Sequence, residues 1–427
     1  MRQLRSSRVL VIAAAVAIAA TACGGGGSAS GPTDNSITWW HNATTDPLKS
    51  VWQQAADAYH TAHPDVSFQV DPIQNEQFNT KVPLALQSND PPDLYQQWGG
   101  GQEASQISSG KVEDLTSATS SWISQLGQAA AGWQVDGKQY GVPYDLHAVG
   151  FWYRKDLFTQ AGITSTPTTM DELNADVGKL KAARIAPIAI GSKDRWPDAF
   201  YWDYFAVREC SIDVLKASVK SLKLTDPCWT KAGTDVKTFL ATNPFQTGFL
   251  GTPAQQGAGS SAGMVANGQA AMELQGDWEP GTMSALTSDK DLTSKMGWFP
   301  FPAIAGGQGN PAVVLGGGDG FSCTTKAPTA CADFLKYLDS APVQDKFVAT
   351  GSGLPANPAA ASALTDPNLK TVLDYYQKAP YIQNYFDIAF PTAAGQALDD
   401  AVANYFAGQG SPQTIISAVT SAASGDR

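Results

Sequence analysis

Ser36-Ile37-Thr38-Trp39-Trp40-His41-Asn42 opens the part of the chain that decides the fold. Residues 36–40 are β-branched and aromatic and read as a strand. Residues 48–60 follow with apolar side chains at helical spacing, and 66–70 read as a second strand. Residues 78–87 read as a helix and Ser88-Asn89-Asp90-Pro91-Pro92 as a turn. Residues 93–97 form a short third strand running into Trp98-Gly99-Gly100-Gly101. Strand, helix, strand, helix, strand at this spacing specifies βαβ units on a parallel sheet. Ligands of such sheets lie beyond the carboxyl ends of the strands. The informative ends are Trp40-His41-Asn42, Gln74-Asn75-Glu76 and Gln97-Trp98-Gly99.

The α/β pattern continues. Residues 139–143 and 150–153 read as strands, and a helix closes over 158–163. Thr168-Thr169-Met170-Asp171-Glu172-Leu173 starts another helix with Thr and Asp near its cap. Residues 185–190 form an apolar strand, 196–207 an aromatic-rich helix and 327–339 a helix, and the tail over 367–420 is mainly helical. Residues 313–321 carry glycines, where a backbone can approach a ligand closely.

The amino terminus carries Arg2, Arg5 and Arg8, an apolar run over 9–20, and Thr21-Ala22-Cys23, followed by a Gly/Ser-rich stretch to residue 31. This is the layout of an export signal. The run of about a dozen apolar residues is too short for the roughly 30 Å hydrocarbon core of a bilayer. Ala20-Thr21-Ala22-Cys23 resembles the bacterial lipoprotein signal, which implies cleavage before Cys23 and acylation of it. Residues 1–22 are then the signal peptide and 23–35 the lipidated cysteine with a flexible tether.

The chain has 427 residues, with 28 basic and 39 acidic side chains. Without the signal's three arginines the net charge is −14, which argues against nucleic acid and anionic lipid as partners. Charged residues make up only 16 %, while all 12 tryptophans lie in the mature part; this suits a surface that grips neutral polar ligands by stacking. Of the five cysteines, Cys23 goes to lipid, and outside the cytoplasm the other four read as two disulfides. Three pairings are open, and the local ones, Cys210–Cys228 and Cys323–Cys331, are favoured. With no CxxC, and no ligand spacing among His41, His60, His63 and His147 beyond His60-x-x-His63, no metal site and no cofactor are expected.

Further segments are Ala62-His63-Pro64-Asp65-Val66, Tyr140-Gly141-Val142-Pro143-Tyr144 and Phe151-Trp152-Tyr153-Arg154-Lys155-Asp156-Leu157-Phe158. Gly268-Gln269-Ala270-Ala271-Met272 leads on to Gly276-Asp277-Trp278. In this order and spacing they resemble the extracellular solute-binding proteins of ABC sugar importers. The Trp-Trp-His-Asn, Gln-Asn-Glu and Trp-Gly-Gly-Gly segments are similar to actinobacterial binders of xylobiose and related oligosaccharides. The resemblance implies a two-lobed, hinged periplasmic-binding-protein-like α/β fold of type II with a ligand cleft between lobes. Lobe I spans 36–144 with 313–349, lobe II spans 145–312 with 350–427, and 143–147 and 350–355 are hinges. It also implies a lipid-anchored monomer with a sugar ligand and ABC permease transmembrane subunits as partners.

A neutral-sugar cleft needs aromatic platforms and rigid polar groups. The stacking candidates are Trp40, Trp98, Tyr144, Trp196 and Trp278. The hydrogen-bonding candidates are His41, Asn42, Asn75, Glu76, Gln97, Asp277, Asp319 and Asp387, with backbone donors at Gly316, Gly317 and Gly318. Trp152 and Trp202 read as core. Residues of two enzyme classes are also present. Gly259-Ser260-Ser261-Ala262-Gly263 matches a nucleophile-elbow motif, but a loop precedes it and no histidine follows it. A glycoside hydrolase needs two carboxylates across a sugar bond, which Glu76, Asp277, Glu279 and Asp319 could supply. A tethered carbohydrate-binding module outside transport is the third class.

Overall fold

The structure, a computed structural model, describes residues 35–425. The signal peptide, Cys23 and the tether before residue 35 lie outside the described residues. No helix among the described residues is long and apolar enough to cross a membrane.

The first sheet has five strands in the order Ser67–Pro72, Ser36–His41, Leu94–Gln97, Gly320–Cys323, Val142–Pro143. The first three are parallel, and Gly320–Cys323 runs antiparallel to both its neighbours. The helix Leu48–Ala62 buries Trp52, Ala55, Ala56 and Tyr59. Trp52 stacks on Phe347 and meets Trp39 and Phe321. The second sheet runs Met296–Phe299, Gly150–Arg154, Ala270–Gln275, Ala186–Ala189. Its core is aromatic: Phe151 stacks on Phe299, Tyr204 on Phe301 and Trp202 on Trp229. Trp152 and Trp202 are fully buried.

A third, smaller sheet takes the strands that run between these two: Leu354–Pro355, Asp145–Ala148, Val314–Gly317 and Ile382–Asn384. Asp145–Ala148 follows Val142–Pro143 of the first sheet and precedes Gly150–Arg154 of the second. The result is a two-lobed α/β fold with crossing strands. Glycines let these strands pack closely. A Cβ at Gly316 would lie 1.9 Å from the His147 carbonyl oxygen, and one at Gly318 would lie 2.4 Å from that of Asp145.

Local chemistry fixes the element ends. Thr169 caps the helix Met170–Ala182 with Glu172 reaching back, a full capping box. Cys210, at the end of the helix Trp196–Glu209, is bonded to Cys228 in the first turn of Pro227–Ala241, and Cys323 to Cys331. One boundary matters for the site. The helix expected over 78–87 begins at Asn75, because its first turn is polar and carries no apolar periodicity. Asn75 and Glu76 therefore belong to a helix start, where the backbone dipole favours the Glu76 carboxylate.

Candidate functional site

A cleft of about 370 Å³ opens between the two larger sheets. One wall comes from the first-sheet side and is mainly polar: Asn42, Thr44, Thr45, Asp46, Asn75, Glu76 and Asn79, with Trp98. The opposite wall is aromatic: Trp196, Phe200 and Trp278, with Tyr385 beside them. Phe200 sits 5.3 Å from Trp196, 6.3 Å from Trp278 and 5.1 Å from Tyr385, centroid to centroid. Gln256 joins the two walls, donating to Gln74 Oε1 at 3.1 Å and to Glu76 Oε2 at 3.4 Å.

The polar wall is braced from behind. Asn42 N–H donates to Gln96 Oε1 at 2.9 Å, and its side chain to Asn75 Oδ1 at 3.3 Å. Gln96 Nε2 donates to Asp319 Oδ2 at 2.9 Å, and Tyr144 Oη to the same oxygen at 3.0 Å. On the aromatic wall, the Trp278 ring lies across Gly276, where a Cβ would meet it at 2.2 Å. Trp278 Nε1 and Tyr385 Oη are buried without a hydrogen-bond partner. Burial lifts the Glu76 carboxyl above its ordinary range and holds Asp387 at about 7.

Of the residues singled out in the sequence, Asn42, Asn75, Glu76, Trp98, Tyr144, Trp196, Trp278, Asp319 and Asp387 line this cleft. Five do not. Trp40 lies on the face of its strand that packs against Ile73, Phe78 and Tyr95. His41 points the other way. It is fully buried, accepts from Ala43 N–H through Nδ1, and is pushed down to about 3 by burial and by Lys49. Gln97 is buried and turns back on the Gly99 N–H, so its neighbour Gln96 braces the cleft instead. Asp277 is fully buried behind Trp278 and accepts from Ala148 N–H at 2.9 Å. Gly317 faces Asn384, whose Oδ1 would lie 2.7 Å from a Cβ there. Tyr144 lines the cleft, yet its ring is taken up by Phe321, at 4.9 Å in a stacked pair, and only 2 % of the residue is exposed. It is a brace for Asp319, not a platform.

The sequence reading missed Phe200, Gln256, Tyr385 and above all His147. His147 lines the cleft floor with Asp145, Asp277 and Asp319 around it and the Trp278 ring edge-on at 4.7 Å. Burial disfavours a charged ring, but the carboxylates of Asp145, Asp277 and Asp319 outweigh it and push His147 well above its ordinary value. A signal was available: Asp145 and His147 are two apart on a strand and so share a face.

The serine motif is a helix cap, and of the four carboxylates open to glycoside hydrolysis Glu76 and Asp319 line the cleft. Ser260 caps the helix Ser261–Ala266, and Ser261 donates to the Ala254 carbonyl. Glu279 is fully buried against Glu273 rather than facing the cleft.

A two-lobed fold with a braced polar wall facing aromatic rings defines a receptor that encloses a small polar molecule. The family model for bacterial extracellular solute-binding proteins matches residues 42–345, and the chain belongs to that family. An ABC transporter extracellular-binding protein of Pyrococcus horikoshii is 25 % identical over 350 residues, 78 % of this chain and 74 % of that one. The diacetylchitobiose-binding protein of Streptomyces coelicolor is 24 % identical over 328 residues, 75 % of this chain and 72 % of that one. A solved structure from work on xylan utilization by Caldanaerobius polysaccharolyticus superposes with a TM-score of 0.82 at 24 % identity, covering 90 % of this chain and 99 % of that one. A chitin oligosaccharide binding protein superposes at 0.81 and 23 % identity, covering 91 % and 98 %.

Proposed function

We propose that this chain is the substrate-binding component of an ABC importer for a neutral di- or oligosaccharide, with xylobiose or a short xylo-oligosaccharide as the favoured ligand. The pairing of an aromatic wall with a braced polar wall carries the reading. Sugar rings have apolar C–H faces for Trp278 and Trp196, and edges of hydroxyls for Asn42, Asn75, Glu76, Asp319 and Asp387. A relative named for diacetylchitobiose and a structural neighbour from xylan work support the β-linked class. The chain performs no catalysis. It is held outside the cell by lipid on Cys23, acts as a monomer, closes about the crossing strands, and hands its sugar to permease subunits.

Solution scattering with and without xylobiose tests this, alongside an assay for new reducing ends. The expected result is a smaller radius of gyration with sugar and no rise in reducing ends. A steady rise would make the chain a glycoside hydrolase. An unchanged radius across saccharides that bind would make it a module without closure.

A further inference from the structure

Asp145, His147 and Asp319 converge at the cleft floor. His147 Nε2 lies 3.3 Å from Asp145 Oδ2 and 3.6 Å from Asp319 Oδ1. One donor atom from each of the three residues falls within 4.8 Å of the others, and all three residues are buried. Each side chain has its far atom fixed by a separate partner. His147 Nδ1 sits 3.1 Å from Asp277 Oδ1, which also accepts from Ala148 N–H. Asp319 Oδ2 accepts from Gln96 and Tyr144. Asp145 Oδ1 accepts from Asp319 N–H. The near atoms, one imidazole nitrogen and two carboxylate oxygens, are left facing one another. Two further buried atoms there have no hydrogen-bond partner, Asp277 Oδ2 and Tyr385 Oη.

We propose that Asp145, His147 and Asp319 form a binding site for one divalent cation of the zinc class, with Asp277 as the outer carboxylate that fixes the imidazole. One nitrogen and two oxygens are zinc donors, and bonds of about 2.0–2.2 Å put tetrahedral donors about 3.4 Å apart. The two separations from Nε2 straddle that value. A carboxylate on the second nitrogen is the usual support of a metal-bound histidine, and it selects the tautomer that leaves Nε2 free. His147 and Asp319 line the cleft while Asp145 lies behind them, so the open coordination position faces the ligand space. A ligand hydroxyl can take that position; this last step rests on the sugar reading, and the metal site does not.

The test is calorimetric titration of the full chain with zinc chloride at neutral pH, after chelator treatment and without sugar. The expected result is one site per chain. His147→Gln and Asp319→Asn each weaken it by about a hundredfold or more, and Asp277→Asn weakens it roughly 10–100-fold, with circular dichroism confirming the fold of each variant. Should His147→Gln not fold, Asp319→Asn decides. The Trp278 ring against His147 gives a second readout, a change in tryptophan fluorescence on zinc addition that Asp319→Asn abolishes. No zinc uptake overturns the proposal. Uptake that survives Asp319→Asn and vanishes in His60→Gln also overturns it, assigning the metal to the exposed His60/His63 pair.

Discussion

The two walls of the cleft are built by opposite means. On the first-sheet side, short polar side chains stand on loops and a helix start, and hydrogen bonds through Gln96, Tyr144 and Asp319 hold them. On the second-sheet side, rings stand against rings, and packing holds them. A hydrogen-bonded wall specifies where hydroxyls must be, since a buried polar group left unpaired costs about 1–3 kcal/mol. A packed wall supplies area with less positional demand. Affinity should therefore come mostly from the aromatic wall, and discrimination among sugars from the polar one.

The largest effect tests the aromatic wall directly. Trp278→Ala should weaken sugar binding by about 2 kcal/mol, roughly thirty-fold; an unchanged dissociation constant in a folded variant would remove Trp278 from the site. Next comes the carboxylate buried behind this wall. Asp198, on the helix Trp196–Glu209, is pushed up to about 7 by burial, against a bond from Ser192. Its folded value lies above its unfolded one, so the parent loses stability as pH rises from about 4 through about 7. Asp198→Asn should match the parent in thermal melts near pH 4 and gain on it steadily as the pH rises towards 8. A gap that shrinks with rising pH would contradict the assignment. Gly276→Ala forces the Trp278 ring off its seat, and should cost roughly tenfold in affinity.

The polar wall should respond differently. Asn75→Ala should cost about 1 kcal/mol for the best sugar and almost nothing for an analogue lacking the matching hydroxyl, a split that a matched pair of titrations reads. The smallest effect is that of salt: a neutral ligand should bind with nearly the same constant in low and high salt, whereas a steep dependence would mean a charged ligand.

The first sheet was legible because its strands, turn and helix carry plain periodic signals. Trp278 was legible as part of a longer segment, Gly276-Asp277-Trp278. The errors cluster where parity decides. His41 and Gln97 sit next to residues that do serve the cleft, Asn42 and Gln96. A strand buried on every position, such as Leu94–Gln97, has no alternation from which to choose a face. The glycines at 316–318 looked like ligand contacts but answer to the crossing of strands, a long-range constraint that local sequence does not carry. His147 was missed because its partners, Asp277 and Asp319, are distant in sequence and meet only in the fold.

The measurement that tests the central claim most directly is calorimetric titration of the full chain with xylobiose, xylotriose, cellobiose, maltose, trehalose and chitobiose. One of the β-linked sugars should bind tightly, one to one and without turnover, and Trp278→Ala and Asn75→Ala should weaken it in that order. Binding by none of the six, or binding indifferent to both substitutions, would contradict the account of a sugar held between two unlike walls.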